Sequence, residues 1–323
     1  MGNKDLVFLQ ERRFYLERFL RKMARHDFII NSQEFQIFAR PQGLDVEKSL
    51  NKLPKLSSSQ LYDRLKEATM TDDAELTDQQ RDLIETQLAE FLVFIKKAEP
   101  FLKKMKDDLA VYLSKKQNVM QSYAGCANNF TEYEEKNLAF YTDQEASKLV
   151  INNSESGNLI EQMRHTIENL RNPFTDLYHW IKGEIYDMSA FTATLNERKA
   201  VKNAVITVRS KIASTKTDID AVNAGKKTMG TLFKNSNDVG KMQNSLESFE
   251  RDLESQDKLL DVMSIYLGRT VLPGFKFEKM RLYSKILQQF HVVEISNSHQ
   301  LASFWAQVLK NEQVSNANLI AAQ

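Results

Sequence analysis

The chain has few of the residues that turn a backbone. Ten glycines and five prolines stand in 323 residues, about two fifths of average usage. Sandwiches, barrels and propellers need a turn every roughly 8 to 12 residues, built largely from those two types, so they are excluded and the chain reads as all-α. A single cysteine, Cys126, rules out an internal disulfide, and the N-terminus has no apolar run of signal-peptide form; together these predict a cytosolic protein. No stretch approaches the roughly 18 uninterrupted apolar residues of a membrane span, so any membrane contact is expected to be peripheral. Gly2 is followed by Leu6 where N-myristoylation wants Ser or Thr, so no lipid anchor is expected. An excess of one charge is also missing. Lys and Arg total 44 against 43 Asp and Glu, a formal net charge of +1, so no global field steers the chain to nucleic acid.

Signs of catalysis are equally scarce. The glycines stand alone, with no phosphate-cradling loop of Walker or dinucleotide type. The histidines His26, His165, His179, His291 and His299 show neither HExxH nor Cys/His ligand spacing. Carboxylate pairs such as Glu134 and Glu135 sit among lysines, as on a solvated helix face. Cys126 falls on an apolar stripe, which predicts a packed thiol and not a nucleophile. No catalytic residue, metal ion or cofactor is expected.

What the chain has in quantity is helical periodicity. Ile84, Leu88, Phe91, Ile95, Ala98, Leu102, Met105, Leu109, Tyr112, Lys116, Val119, Tyr123, Cys126, Phe130 and Tyr133 recur in alternating steps of four and three, the heptad signature of packed long helices. The cluster NNSESGN at Asn152–Asn158 predicts a turn ending a helix that runs from about Arg81 to Ile151. A second pattern runs from Ile160 through Met163, Ile167, Leu170, Leu177, Ile181, Met188, Phe191 and Leu195 to Val205, Val208, Ile212 and Ile219. After the glycines Gly225, Gly230 and Gly240, a third runs from Val239 past Pro273 to Val308. Three antiparallel helices of about 70 residues would each be roughly 100 Å long. A rod that thin buries little core per residue, so a second copy is expected to supply more, which predicts an elongated dimer. Pro41 and Pro54 bracket a linker. Pro100, Pro173 and Pro273 each fall within one long pattern, either as kinks that curve the rod or as helix ends; for Pro100, inside an unbroken register, a kink is the expectation.

Two basic clusters stand out. Lys96, Lys97, Lys103, Lys104, Lys106, Lys115 and Lys116 face only Glu99, Asp107 and Asp108 in the same stretch, and Lys226, Lys227, Lys234 and Lys241 face only Asp238. The second cluster spans the turn between the second and third patterns, with Met229, Leu232 and Phe233 interleaved. It is suited either to touching anionic lipid, at about 1 kcal/mol per lysine, or to capping the end of the bundle.

The segment from Phe8 to Pro41 carries Glu11, Arg12, Arg13, Leu16, Glu17, Phe19, Leu20, His26, Phe35 and Phe38. It resembles the closing third of a phox-homology (PX) domain, with Asp27 where that family has a proline. Three later stretches, Trp180–Arg198, Leu232–Leu253 and Phe277–Leu309, resemble the Bin/amphiphysin/Rvs (BAR) domain of sorting nexins. A PX tail followed at once by three long helices is the order found in PX-BAR sorting nexins. The resemblance implies four parts: the end of a PX domain at 1–41, a linker at 42–80, a BAR domain of three kinked antiparallel coiled-coil helices at 81–315, and a tail at 316–323. It implies a non-enzymatic, peripheral membrane protein of endosomes that senses or generates curvature in cargo sorting. The implied partners are an anionic, phosphoinositide-bearing membrane and a second BAR subunit, identical or different, with no nucleic acid. Arg12 falls on the family's phosphoinositide-contacting arginine, Lys226, Lys227, Lys234 and Lys241 on the membrane-binding tip, and Trp180, Tyr186, Phe191 and Trp305 in the core or dimer interface. The PX strands, their Arg-Arg motif and the Pro-Pro loop are missing from the sequence. Within the linker, Ser57–Thr69 predicts a short amphipathic helix with Leu61, Leu65 and Ala68 on one face. It acts either as a bilayer wedge or as a strap packed on the long helices. Two rival readings are a coiled-coil scaffold or tether that bends no membrane, and a partner subunit that only heterodimerises.

Overall fold

The computed structural model describes residues 4–40, 45–70, 76–137, 140, 159–225 and 239–309. Among them every element is helical. Five short or medium helices come first: α1 (Lys4–Met23), α2 (Asp27–Ile30), α3 (Gln33–Ala39), α4 (Val46–Asn51) and α5 (Ser58–Thr69). Then follow α6 (Asp78–Lys136), α7 (Leu159–Asn169), α8 (Phe174–Asn223), α9 (Val239–Ile265) and α10 (Leu272–Leu309). Between α9 and α10 the backbone does not leave the helix but widens into a π turn over Tyr266–Val271.

The short helices start where their side chains dictate. Ser32 accepts from the Phe35 N–H and Asp45 from the N–H groups of Glu47 and Lys48. Ser57 and Gln60 form a reciprocal capping box at the start of α5, satisfying donors that a helix start leaves orphaned. Met70, with φ 48°, closes α5 in the left-handed region.

The chain divides into two compact units, Met1–Ile95 with Ser189–Phe275, and Lys96–Met188 with Lys276–Gln323. In the first, Arg81 pairs with Asp261, Arg198 reaches both Glu85 and Ser264, and Arg209 pairs with Asp257. Rising numbers on α6 meet falling numbers on α8 and rising numbers on α9, so the stretches alternate in direction. The rings of Phe91, Phe191 and Phe275 meet pairwise at centroid distances of 5.0 to 5.8 Å, one from each stretch. In the second unit, Leu109, Leu177, Ile181 and Ile286 form the core, and Met163, Ile167 and Phe304 form a smaller one. Lys116 bonds Glu294, and Lys279 reaches Glu184 and Asp187, giving the same alternation.

Several expectations need correction. Helix α6 ends at Lys136, not near Ile151, with Asn137 bonding back to the Tyr133 carbonyl; the expected turn at Asn152–Asn158 lies outside the described residues. Pro173 is not inside a helix. It is buried in a break between α7 and α8, and Asn172 caps the restart by accepting from the Phe174 N–H at 3.2 Å. Pro100 does lie within α6. Pro273 follows the π turn, where the Leu272 N–H bonds to the Leu267 carbonyl five residues back. An α-helical proline ring would clash with the carbonyl four residues earlier, and the wider turn removes that conflict.

The heptad stripe on α6 holds as core as far as Leu109 and then only in part. Beyond it Tyr112, Val119, Phe130 and Tyr133 are 43 to 52% exposed, while the stripe's Lys116 and Tyr123 stay half-buried and Leu113 and Met120 turn inward beside them. A straight helix advances 3.6 residues per turn and drifts about 20° per heptad away from a 3.5-residue seam. Cys126 is exposed rather than packed for the same reason. Glu134, expected on a solvated face, is 5% exposed.

Candidate functional site

Arg12 lies on α1, solvent-exposed, with its guanidinium 5.6 Å from the centroid of the Phe8 ring. That is cation–π geometry. The same helix shows Phe8, Leu9, Phe14, Leu16 and Phe19 to solvent, each about half exposed. Of the expected basic tip, Lys241 is exposed in the first turn of α9; Lys226, Lys227 and Lys234 lie outside the described residues.

The earlier lysine cluster is described in full. Lys103 pairs with Glu99, Lys106 with Asp107 and Lys116 with Glu294. Among the described residues no ion pair engages Lys96, Lys97, Lys104 or Lys115. Spacings of 7 and 11 residues put Lys97, Lys104 and Lys115 within about 20° of a common line on α6. Asp108 falls close to that line, so the strip is basic but not of one sign.

Of the residues expected in the core or dimer interface, Phe191 is 5% exposed within the aromatic trio of the first unit. Trp180 is partly buried against Tyr283, ring centroids 5.6 Å apart, and its indole N–H has no hydrogen-bond partner in the described chain. Tyr186 is 51% and Trp305 42% exposed, so neither belongs to the core of a single chain.

Apolar surface in the second unit is organised, not scattered. Phe101, Tyr112 and Val119 on α6 are 66, 52 and 51% exposed and lie within about 20° of one line, at spacings of 11 and 7 residues. Cys126, also exposed, extends it. On α10, Phe277 and Ile295 are 72 and 69% exposed and stand about five full turns apart, with Met280 and Val292 flanking at 67 and 59%. Tyr112, Val119 and Cys126 belong to the heptad pattern of the sequence; Tyr112 also meets the Phe174 ring at 5.7 Å, and about half or more of each side chain with a quoted exposure faces solvent.

Buried charge is tied down. Arg198, 7% exposed, donates to the Ser264 hydroxyl at 2.9 Å and to Glu85 at 2.6 Å. Burial acts to raise the Glu85 carboxyl, but Arg198 and Lys202 outweigh it and hold the group below its ordinary value. Lys279 sits between Glu184 and Asp187 at 2.8 and 2.5 Å. At the break in the second unit, buried Asn297 donates to the Arg171 carbonyl at 2.7 Å and accepts from the Arg171 N–H at 3.1 Å. Asn172 donates to the Leu113 carbonyl at 2.9 Å. None of these roles is signalled by local sequence, because each joins residues 59 or more positions apart. Among the described residues no group of three His, Cys, Asp or Glu side chains could hold a metal ion, and no helix is long and apolar enough to cross a membrane.

In the first unit the linker helix α5 packs along α9, the arrangement expected of a strap. Arg64 of α5 grips Glu34 of α3 with two hydrogen bonds of 2.8 and 2.7 Å. That guanidinium, chiefly by hydrogen bonding, lowers the Glu34 carboxyl to about 2. No protein-family model and no curated protein sequence matches the chain.

Proposed function

We propose that this chain is a non-enzymatic membrane-remodelling protein of PX-BAR sorting-nexin type. It binds anionic, phosphoinositide-bearing endosomal membrane as a dimer and senses or generates curvature during cargo sorting. The observation that carries the reading is the exposed apolar line Phe101, Tyr112, Val119 on α6, together with the exposed Phe277, Met280 and Ile295 on α10. A chain that leaves periodic apolar positions on its long helices uncovered is built to receive another helix, and a closed dimer of identical copies meets that need. Three helical stretches of alternating direction in each unit, an exposed basic line on α6 and the PX-like order of motifs support the same conclusion. In this reading Arg12 contributes to the lipid headgroup contact, Lys226, Lys227, Lys234 and Lys241 to the tip, and Trp180, Tyr186 and Trp305 to the region of the interface.

A second reading, a coiled-coil spacer without membrane work, is favoured by Asp108 on the lysine line and by the paired state of Lys103, Lys106 and Lys116. One experiment separates the two. Phosphatidylserine vesicles, with and without phosphatidylinositol 3-phosphate, are incubated with the chain and with its Lys226, Lys227, Lys234, Lys241→Glu variant, then imaged. Tubules that disappear with the variant support membrane bending; unremodelled vesicles under both lipid conditions, from a chain that sedimentation shows to be dimeric, support the spacer.

A further inference from the structure

Two cavities in the first unit share a wall. The first, about 450 Å³, is lined by apolar side chains from four helices, among them Phe28, Leu61, Leu65, Val201, Leu259 and Met263. The second, about 780 Å³, is the more polar of the two and carries Arg25, His26, Asp27 and Glu67, with Tyr266 of the π turn on its border. Phe28, Ser32, Arg64 and Ala68 line both, so an apolar compartment opens beside a polar one. Both volumes lie in the range of small-molecule sites, which combine an apolar lining with a few placed polar groups. The walls are held in place: the Arg64–Glu34 pair fastens α5 to α3, and α5 packs on α9.

We infer that this joined cavity binds a single-chain amphiphile, its aliphatic tail among Leu61, Leu65, Val201 and Leu259 and a zwitterionic head in the polar compartment. Water over the apolar part of this open groove lacks the several polar partners it needs, whereas each methylene buried there is favourable by the ordinary hydrophobic term. The polar compartment presents Arg25, the Arg64 guanidinium that Glu34 already engages, and the carboxylates of Asp27 and Glu67. Cationic and anionic side chains side by side suit a head with both signs, such as a phosphocholine. Glu34 and Glu197, which line the apolar compartment with Arg64, disfavour a fatty-acid carboxylate there. Neither Arg12 nor Lys241 lines the site, and it does not depend on the membrane reading.

The test uses the full chain and alkylphosphocholines below their micelle-forming concentration, followed by titration calorimetry. Binding is expected for decylphosphocholine, roughly tenfold weaker for the octyl homologue because two methylenes are lost, and weaker again for decanoate. Ala68→Trp and, from the opposite wall, Val201→Phe should each abolish binding while circular dichroism shows helicity unchanged. The inference is overturned if decylphosphocholine binds neither the parent chain nor a variant, if both filled variants bind it as the parent does, or if decanoate binds as tightly as the phosphocholine. Vesicle tubulation by the same preparations is scored separately, so failure of the cavity and failure of the membrane reading are distinguishable.

Discussion

The two units solve the same packing problem by different means. In the first, all three long stretches stay helical, and even Pro273 is absorbed by a π turn. The helices there approach closely: a Cβ at Gly268 would stand 2.8 Å from Cγ2 of Ile84, so glycine is what allows α6 against the π turn. In the second, the middle stretch is cut between Asn169 and Phe174, and its free backbone groups are taken by side chains from elsewhere, Asn297 above all. A proline with a nearby partner to receive its neighbours' backbone groups ends a helix, while one without such a partner is carried inside it.

That contrast can be broken, with the largest effect at the clamp. Asn297→Ala strands the part-buried Arg171 N–H and carbonyl, and a fully buried group of this kind costs about 1 to 3 kcal/mol. The second unit is expected to lose about 3 kcal/mol of stability, read as lost hydrogen-exchange protection at the Arg171 amide with the first unit unaffected. An unchanged Arg171 amide would mean that the break holds without its clamp. The opposite sign is expected at Pro100, which interrupts α6 without a partner. Pro100→Ala restores a backbone donor and should raise the urea midpoint, with a gain of about 2 kcal/mol out of the roughly 3 that separates the residues in a free helix.

A smaller effect sharpens the description of the first unit. Gly268→Ala forces Ile84 aside and should cost about 1 kcal/mol, because overpacking exceeds the gain in helix propensity. In an Ile84→Ala background the same change should become neutral or stabilising, and a thermal-melt double-mutant cycle measures the coupling. The smallest effect belongs to the Glu34–Arg64 pair. The Glu34 carboxyl lies below its unfolded value, so its contribution is complete above about pH 4.5 and is lost as the pH falls towards about 2. Both side chains are nearly half exposed, so solvent screening limits the effect, and Glu34→Gln should cost under about 1 kcal/mol at neutral pH. The difference from the parent chain should vanish in melts at acid pH.

Much of the fold was legible. From Ile84 to Leu109 on α6, and from Met163 to Ile219 along α7 and α8, the periodic residues read from the sequence include those with the lowest exposure, Ile95 at 2% and Ile181 at 0%. The linker helix was legible because its signals are local, a capping serine at Ser57 and Leu61, Leu65 and Ala68 on one face. The break at Pro173 was not, since the apolar pattern runs straight across it and the residue that holds it, Asn297, is 126 positions away. The candidate site was less legible than the fold: a heptad pattern says that a seam exists but not whether it is covered by the same chain or another.

Composition and periodicity by themselves determined that the chain is helical and which residues form the central core, because scarce turn formers and regular apolar spacing leave a helix no other face to bury. Tertiary structure alone decided where the α6 seam drifts out of the core, which proline ends a helix and which is carried within one, and that the linker helix lines two neighbouring cavities. Those outcomes turn on contacts between residues far apart in sequence, whose energies no local pattern encodes.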